Sequence, residues 1–381
     1  MSPRCAGAVR FMIQLARTAR TLARIARTRY PAFIAGAPLA RNEIPVFTYH
    51  DVEAEDLTQD LEFLHVNGYR TLSLDEYLHA RSTRRSPGRA VLLTFDDARK
   101  SFWSAAAPTL RAFEAHATLF APTHWMDSAK SAGDDLFMSW EQVSACAQSG
   151  LVDVQSHAHR HALVFTSPQL VDFASPWSLA RYDVYDWPMR RCGEDDVLGR
   201  PPLGSPIYRA APLLSATRRY LENEELTNAC REYVLDNGAD EFFRRPRWAA
   251  RLRRLHDELA RALRGQWLAP SRFTALLESE FERSRSAFLR HLGYAPHCIA
   301  YPWMLGSRYS LELARRHGLR TAFGVALDYG AERRSARLPI PVYGRLKCDW
   351  LRFLPGERRM NLGQAVRRKL AGFAGVQHLA H

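Results

Sequence analysis

From Ile44 to Ser156 short apolar runs alternate with stretches of helical periodicity: IPVFTYH, LTQDLEFLHVNGY, AVLLTFDD, SAAAPTLRAFEAH, ATLFAP, SWEQVSACAQSG and LVDVQSH. Short, nearly unbroken apolar runs read as strands covered on both faces, and a helix between each pair of strands makes those strands parallel. The rhythm dictates an α/β fold. Gly68 and Gly150 stand just past two of the helical stretches, where a glycine in the left-handed conformation closes a helix. The pattern resumes at HCIAYPW, SLELARRHG and TAFGVAL and closes with RLPIPVYGRL.

Residues 162–295 interrupt this rhythm. They open with WPMRRCGEDDVLGRPPLGSPIY, rich in proline and glycine, and continue through charged, arginine-rich stretches from Leu213 to Arg290. The pattern predicts a mostly helical insertion on one βα loop, a connection that tolerates insertion and often carries specificity. The organisation expected is a basic segment 1–42, a first domain part 43–161, the insertion 162–295, a second domain part 296–355 and a tail 356–381.

A chain of 381 residues, 46% of them hydrophobic, has room for one large α/β domain with an insertion or for two smaller domains. The 53 Lys and Arg against 40 Asp and Glu give +13, which draws polyanions: nucleic acid, acidic glycan or an anionic membrane. The arginines show no zinc-finger spacing and no RNA-binding motif, so nucleic acid is not an expected partner. Cys5, Cys146, Cys192, Cys230, Cys298 and Cys348 form no CxxC pair. That speaks against a structural zinc site and a small disulfide scaffold, and a reducing compartment fits best.

No run of 18 apolar residues occurs, so no spanning helix is expected, and the chain reads as soluble or peripheral. Residues 8–30 carry Arg10, Arg17, Arg20, Arg24, Arg27 and Arg29 beside an apolar stripe of Phe11, Leu15, Ala19, Leu22 and Ile25. The stripe fits an interfacial helix on an anionic membrane, a transit peptide, or a basic helix packed on the domain. Arginines interrupt every candidate core for a secretory signal. The expected location is the cytoplasm or the inner face of a membrane.

Two local patterns carry chemistry. Asp96 and Asp97 follow directly on the apolar strand AVLLTF. Adjacent carboxylates at a buried strand end need a metal, a partner or a helix N-terminus to cap. His157, His159 and His161 follow the strand LVDVQ in the run SHAHRH. Such a cluster is either a set of hydrogen-bonded imidazoles or a divalent-metal site, and one aspartate with two histidines is a common ligand set. The chemistry these residues allow is hydrolysis: an ion supplies Lewis acidity, and a neighbouring carboxylate takes a proton from water, typically worth about 10²–10⁴ in rate. Glycoside hydrolysis would also use paired carboxylates but has no need of the histidines.

With these motifs the chain resembles the polysaccharide deacetylases of the NodB-homology group, carbohydrate esterase family four. TFDD is similar to that family's first motif, SHAHRH to its second and AYPWMLG to its third, and FTYHDV, LEFLHVNGYRTLSLDEYL and SWEQVSACAQSGLVDVQSH resemble the segments that frame them. The resemblance covers residues 44–161 and 296–350. It implies a distorted, incomplete (β/α) barrel with its site at the C-terminal strand ends, and removal of N-acetyl or O-acetyl groups from a polysaccharide in exopolysaccharide or cell-envelope glycan metabolism. It implies Asp96 as general base and Asp97, His157 and His161 as ligands of one divalent ion, zinc first, with cobalt, nickel and iron also compatible. Tyr301, Pro302 and Trp303 would line the acetyl pocket and hold the oxyanion.

The chain departs from the family where a late Leu-x-His motif would supply the general acid. His50, at the tip of the first strand, is the substitute expected, ahead of His317. Ala158 replaces a Ser or Thr, Ala300 replaces an arginine near the base, and Gly306 comes two residues late. The alternative reading, from another class, is a catalytically degenerate glycan-binding protein. Trp177, Tyr185 and Trp187 of the insertion are candidates for core packing or for stacking on sugar rings.

Overall fold

The computed structural model describes residues 32–85, 87–128, 136–327, 337–361 and 363–364. The basic segment at residues 8–30 and most of the tail lie outside the described residues. The chain forms two compact units, one of Met1–Thr94, Ser104–Thr118 and Leu346–His381, the other of Phe95–Trp103 and Leu119–Arg345.

The first unit opens the alternation with β1 (Val46–Tyr49), α1 (Ala54–Val66), β2 (Arg70–Thr71), α2 (Leu74–Thr83), β3 (Ala90–Phe95) and α3 (Ala107–Ala112). All six residues of β3 are buried, as an apolar run covered on both faces requires. Asn67 and Gly68 (φ +65°) end α1 where the sequence placed its stop. Ser73 starts α2 with a capping box shared with Glu76.

The second unit takes up at β4 (Ala117–Ala121) and runs through α4 (Thr123–Ser128), α5 (Trp140–Gln148) and β5 (Val152–Ser156). The inserted segment then forms β6 (Leu163–Phe173), α6 (Pro176–Arg181), β7 (Pro188–Cys192), β8 (Asp195–Val197), β9 (Pro206–Pro212), β10 (Tyr220–Leu221), α7 (Glu224–Asp236), α8 (Trp248–Leu259), β11 (Gln266–Trp267) and α9 (Pro270–Leu292). The alternation resumes with β12 (Cys298–Ser307), α10 (Arg308–Arg316), β13 (Thr321–Leu327) and β14 (Val342–Tyr343), and β15 (Leu346–Lys347) belongs to the first unit.

In the first unit β15, β1 and β3 lie in that order, with β2 beside β3; the β1–β15 pair is parallel with Phe47 opposite Leu346. In the second the order is β14-β13-β12-β5-β4, with Ala322 opposite Val342, Ala300 opposite Phe323 and Ile299 opposite Ser156, all parallel. The α/β expectation is met.

The inserted segment differs from the expectation of a mostly helical cap. Its first third is a four-stranded sheet, β8-β7-β6-β9, and helices dominate only beyond it. The prolines that read as loop sit where a missing N–H costs least. Pro188, Pro206 and Pro212 begin or end strands, and Pro168 falls in an irregularity of the β6–β9 register. Nor is the segment an appendage: Phe273, Leu277 and Phe281, four residues apart along α9, are buried in one cluster with Ile299, Tyr301 and Leu311. Each such side chain stabilises by about 1.5–3 kcal/mol.

Candidate functional site

Asp96 and Asp97 leave the end of β3 in a turn of left-handed backbone, φ +73° at Asp97 and +47° at Ala98. Non-glycine residues hold such angles only where surrounding structure over-determines them, and they cluster at functional sites. Both carboxylates are buried, and the next helical turn begins beyond Arg99, so neither aspartate is its N-cap. Asp96 instead receives both arms of the Arg345 guanidinium, Nη1 to Oδ1 and Nη2 to Oδ2 at 2.6 Å each. This fork neutralises the buried carboxylate and fixes its plane. Asp97 Oδ2 accepts the Tyr185 hydroxyl at 2.7 Å.

His157 and His161 lie just past β5. His157 donates from Nδ1 to the Ala300 carbonyl at 2.7 Å, which turns Nε2 toward Asp97. The two Nε2 atoms lie 3.3 Å (His157) and 3.4 Å (His161) from Asp97 Oδ1. Those distances are long for good hydrogen bonds, but ligands about 2.0–2.1 Å from a shared tetrahedral ion stand roughly 3.3 Å apart. All three groups are buried, with ligand atoms within 4.8 Å of one another. The donor set of one carboxylate oxygen and two imidazoles therefore fits a divalent ion.

The electrostatics agree with that use. Burial lowers His161 to about 4 against the pull of Asp97, leaving its ring neutral and able to coordinate. Burial also acts to lower His157, but Asp96 and Asp97 outweigh it and the net direction is upward. A proton and a metal ion compete for that ring. His159 is different: burial lowers it to about 3, and its Nδ1 lies 2.8 Å from the Thr123 hydroxyl, outside the ligand set.

The histidine loop is held from two sides. His157 and His124 donate their backbone N–H to Ala121 and His159 carbonyls, tying the loop to the end of β4. From α9, Glu280 accepts the Arg160 N–H at 2.9 Å and the Ser284 hydroxyl meets Ser156 Oγ at 2.9 Å. Ser156 Oγ also accepts the Ala158 N–H at 3.2 Å, supplying the fixing hydroxyl that Ala158 itself lacks.

The third motif lies in β12, whose pairing with β13 shifts register between Ala300 and Leu305. Trp303 (φ +50°) and Met304 (φ +61°) form this bulge, and the Trp303 ring is 4.3 Å from that of His161. A bulge re-aims a side chain, here onto His161. Tyr301 faces the core: it is 1% exposed and its hydroxyl accepts from Ser310. A Cβ on Gly306 would stand 2.7 Å from the Tyr301 ring, so the late glycine makes room for that tyrosine. Pro302 is buried beside it.

His50 is an exposed residue of the first unit, just past β1. His317 ends α10 and stacks on Phe281 at 5.8 Å, a packing contact. Arg345, Asp186 and Arg99 carry no signal in the sequence reading, which gives Tyr185 only as a candidate for core packing or sugar stacking. Arg345 follows β14 by two residues, a strand-end position that the search for a late histidine passed over; it occupies the role that Ala300 leaves open. Tyr185 and Asp186 belong to the inserted segment, Asp186 bonding the Trp303 side chain. Arg99, bonded to Asp183 at 2.5 Å, clamps that same stretch of the inserted segment.

Residues 83–205, which hold the paired aspartates past one parallel strand and the two histidines past another, match the model of the family described as Polysaccharide deacetylase. Among curated relatives, the poly-beta-1,6-N-acetyl-D-glucosamine N-deacetylase of Escherichia coli (strain K12) is 30% identical over 148 residues, covering 33% of this chain and 22% of that protein. The putative polysaccharide deacetylase YxkH of Bacillus subtilis is 27% identical over 128 residues, 31% of this chain and 43% of that one. The matches thus span less than half of either relative. The BpsB deacetylase domain of Bordetella bronchiseptica superposes with a TM-score of 0.50 at 20% identity, covering 82% of this chain and 98% of that one. That likeness shows the fold: a mostly parallel, curled sheet with helices, the incomplete barrel expected.

Proposed function

We propose that this protein is a metal-dependent deacetylase of an N-acetylated polysaccharide, of the poly-N-acetylglucosamine kind that its Escherichia coli relative is named for. The observation that carries the reading is the buried trio of Asp97, His157 and His161 beside an arginine-held Asp96. A divalent ion held by the trio would supply Lewis acidity toward an acetyl carbonyl and acidify water. Asp96 takes the proton of the attacking water; each of its oxygens keeps a lone pair beyond the one bonded to Arg345. Tyr185 holds Asp97 through Oδ2 and leaves Oδ1 facing the two histidines. Trp303 walls the acetyl group against His161, and its backbone N–H is assigned to the developing oxyanion. The same reading includes exopolysaccharide metabolism and a peripheral contact with an anionic membrane through residues 8–30, supported by the six arginines there.

The test is acetate release from N-acetylglucosamine oligomers by zinc-loaded protein, with chelator-treated protein as control. Chelator-sensitive release is the expected outcome, and His157→Ala protein is expected to lose both metal and turnover while staying folded. Stoichiometric metal retained by His157→Ala would overturn the ligand set, and metal-loaded protein that releases no acetate from any acetylated glycan would leave the glycan-binding alternative standing.

A further inference from the structure

Away from the aspartates and histidines, the second unit carries a cavity of about 250 Å³ lined by Ser175, Pro176, Trp177, Asp240, Phe243, Arg244 and Trp248. It lies between the start of α6 and the segment that leads into α8. Trp177 is 53% exposed, although an indole is among the side chains that gain most from burial. The Arg181 guanidinium lies over its ring at 4.9 Å, which holds the indole in a defined orientation before any ligand arrives. Trp248 is fixed likewise, edge-to-face on Phe243 with ring centroids 4.9 Å apart.

We propose that this cavity, which shares no lining residue with the aspartate–histidine trio, is a glycan-holding subsite that stacks one sugar ring of the polymer against Trp177 and Trp248. The volume falls below the roughly 300–1,000 Å³ of drug-sized pockets, which limits the occupant to a single ring. The lining combines flat apolar faces with one carboxylate and one guanidinium, the acceptor and donor that a sugar's hydroxyls and acetamide require. Charge selects the form of the sugar. Of the lining's charges Asp240 and Arg244 cancel, but the segment from Ala239 to Arg254 that supplies four of the lining residues carries Arg244, Arg245, Arg247, Arg251, Arg253 and Arg254 against Asp240 and Glu241. The net-positive segment behind this lining disfavours a glucosamine that has lost its acetyl group and become cationic, so the subsite takes the uncharged, N-acetylated stretch. Substrate is thereby held by its unreacted part and released as the reaction proceeds. This choice of polymer rests on the proposed deacetylase reading, but the cavity's geometry does not.

The experiment is isothermal titration of the full chain carrying Asp96→Asn, so that nothing is consumed, with an N-acetylglucosamine hexamer and its fully deacetylated counterpart in mildly acidic buffer. The acetylated hexamer is expected to bind at least about tenfold tighter than the cationic one. Trp177→Ala, at an exposed position that leaves the fold intact, is expected to weaken the acetylated hexamer by about tenfold. Trp177→Phe should restore most of the loss, and Asp240→Ala should weaken binding independently. Unchanged affinity in Trp177→Ala, or tighter binding of the deacetylated hexamer, would overturn the proposal. Loss of binding in Trp177→Ala by a protein that releases no acetate would keep the subsite and remove the deacetylase reading; acetate release with unchanged Trp177→Ala binding would do the reverse.

Discussion

At the scale of single residues the site is a division of labour between neighbours. Asp96 and Asp97 are adjacent, yet the left-handed turn sends one to a guanidinium and the other to two imidazoles and a phenol. Replacing Asp96 by Asn keeps the volume, removes the proposed proton acceptor and leaves the Arg345 guanidinium one amide oxygen in place of a carboxylate, so some loss of stability accompanies the loss of rate. Turnover is expected to fall about 10²–10⁴-fold with metal content unchanged, measured by acetate release alongside elemental analysis. Near-normal rates would remove Asp96 from the role of base. Arg345→Ala is a different lesion, because it leaves a buried carboxylate uncompensated. Its expected signature is a loss of about 3–5 kcal/mol in unfolding free energy as well as of rate.

At the scale of elements, the inserted segment completes the site rather than capping it. Tyr185 comes from the short helical turn Val184–Asp186, and its hydroxyl is pushed well above its ordinary pKa, chiefly by burial and then by Asp97, so it stays a donor at every working pH. Tyr185→Phe should preserve the fold and weaken metal binding about 10–100-fold, read by competition with a chromophoric chelator; unchanged affinity would make the tyrosine mere packing. The strands and the two carboxylate and histidine motifs were legible because apolar runs and strand-end charges are local signals. Glu280, Arg345 and the bond from Tyr185 to Asp97 were not, since each acts 88 to 249 residues away from its partner or across a loop whose composition carries no periodicity. The sheet of the inserted segment was hidden by its prolines, which mark loops and strand ends alike. In the first unit, Asp60 of α1 ties β1 to the helical turn Cys348–Phe353: it accepts the Tyr49 hydroxyl at 3.0 Å and Arg352 Nε at 2.8 Å. Burial raises its pKa from 3.8 to about 6 despite Arg352. The folded state therefore holds this proton more tightly than the unfolded state. The associated stability is fully present below about pH 4 and lost as pH rises through about 6, by up to roughly 3 kcal/mol. Asp60→Asn should flatten the pH dependence of the urea midpoint between pH 4 and 8, and an unaltered slope would assign it to other groups.

For the molecule as a whole, the distribution of charge matters more than its sum. Eight arginines and no acidic residue precede Glu43, so most of the +13 is concentrated in the first tenth of the sequence. Each arginine near an anionic leaflet contributes about 1 kcal/mol, screened within about 10 Å at 0.1 M salt. Apolar residues spaced three and four apart between those arginines add a partition energy that salt does not screen. The two contributions separate cleanly by experiment. The full chain should sediment with vesicles of mixed neutral and anionic phospholipid, bind neutral vesicles far more weakly, and lose most of the difference as salt is raised. A chain lacking residues 1–31 should stay in the supernatant while deacetylating short oligomers at the unaltered rate, because every residue assigned to the chemistry lies beyond that segment. Equal sedimentation of the two chains would remove residues 1–31 from the proposed membrane contact.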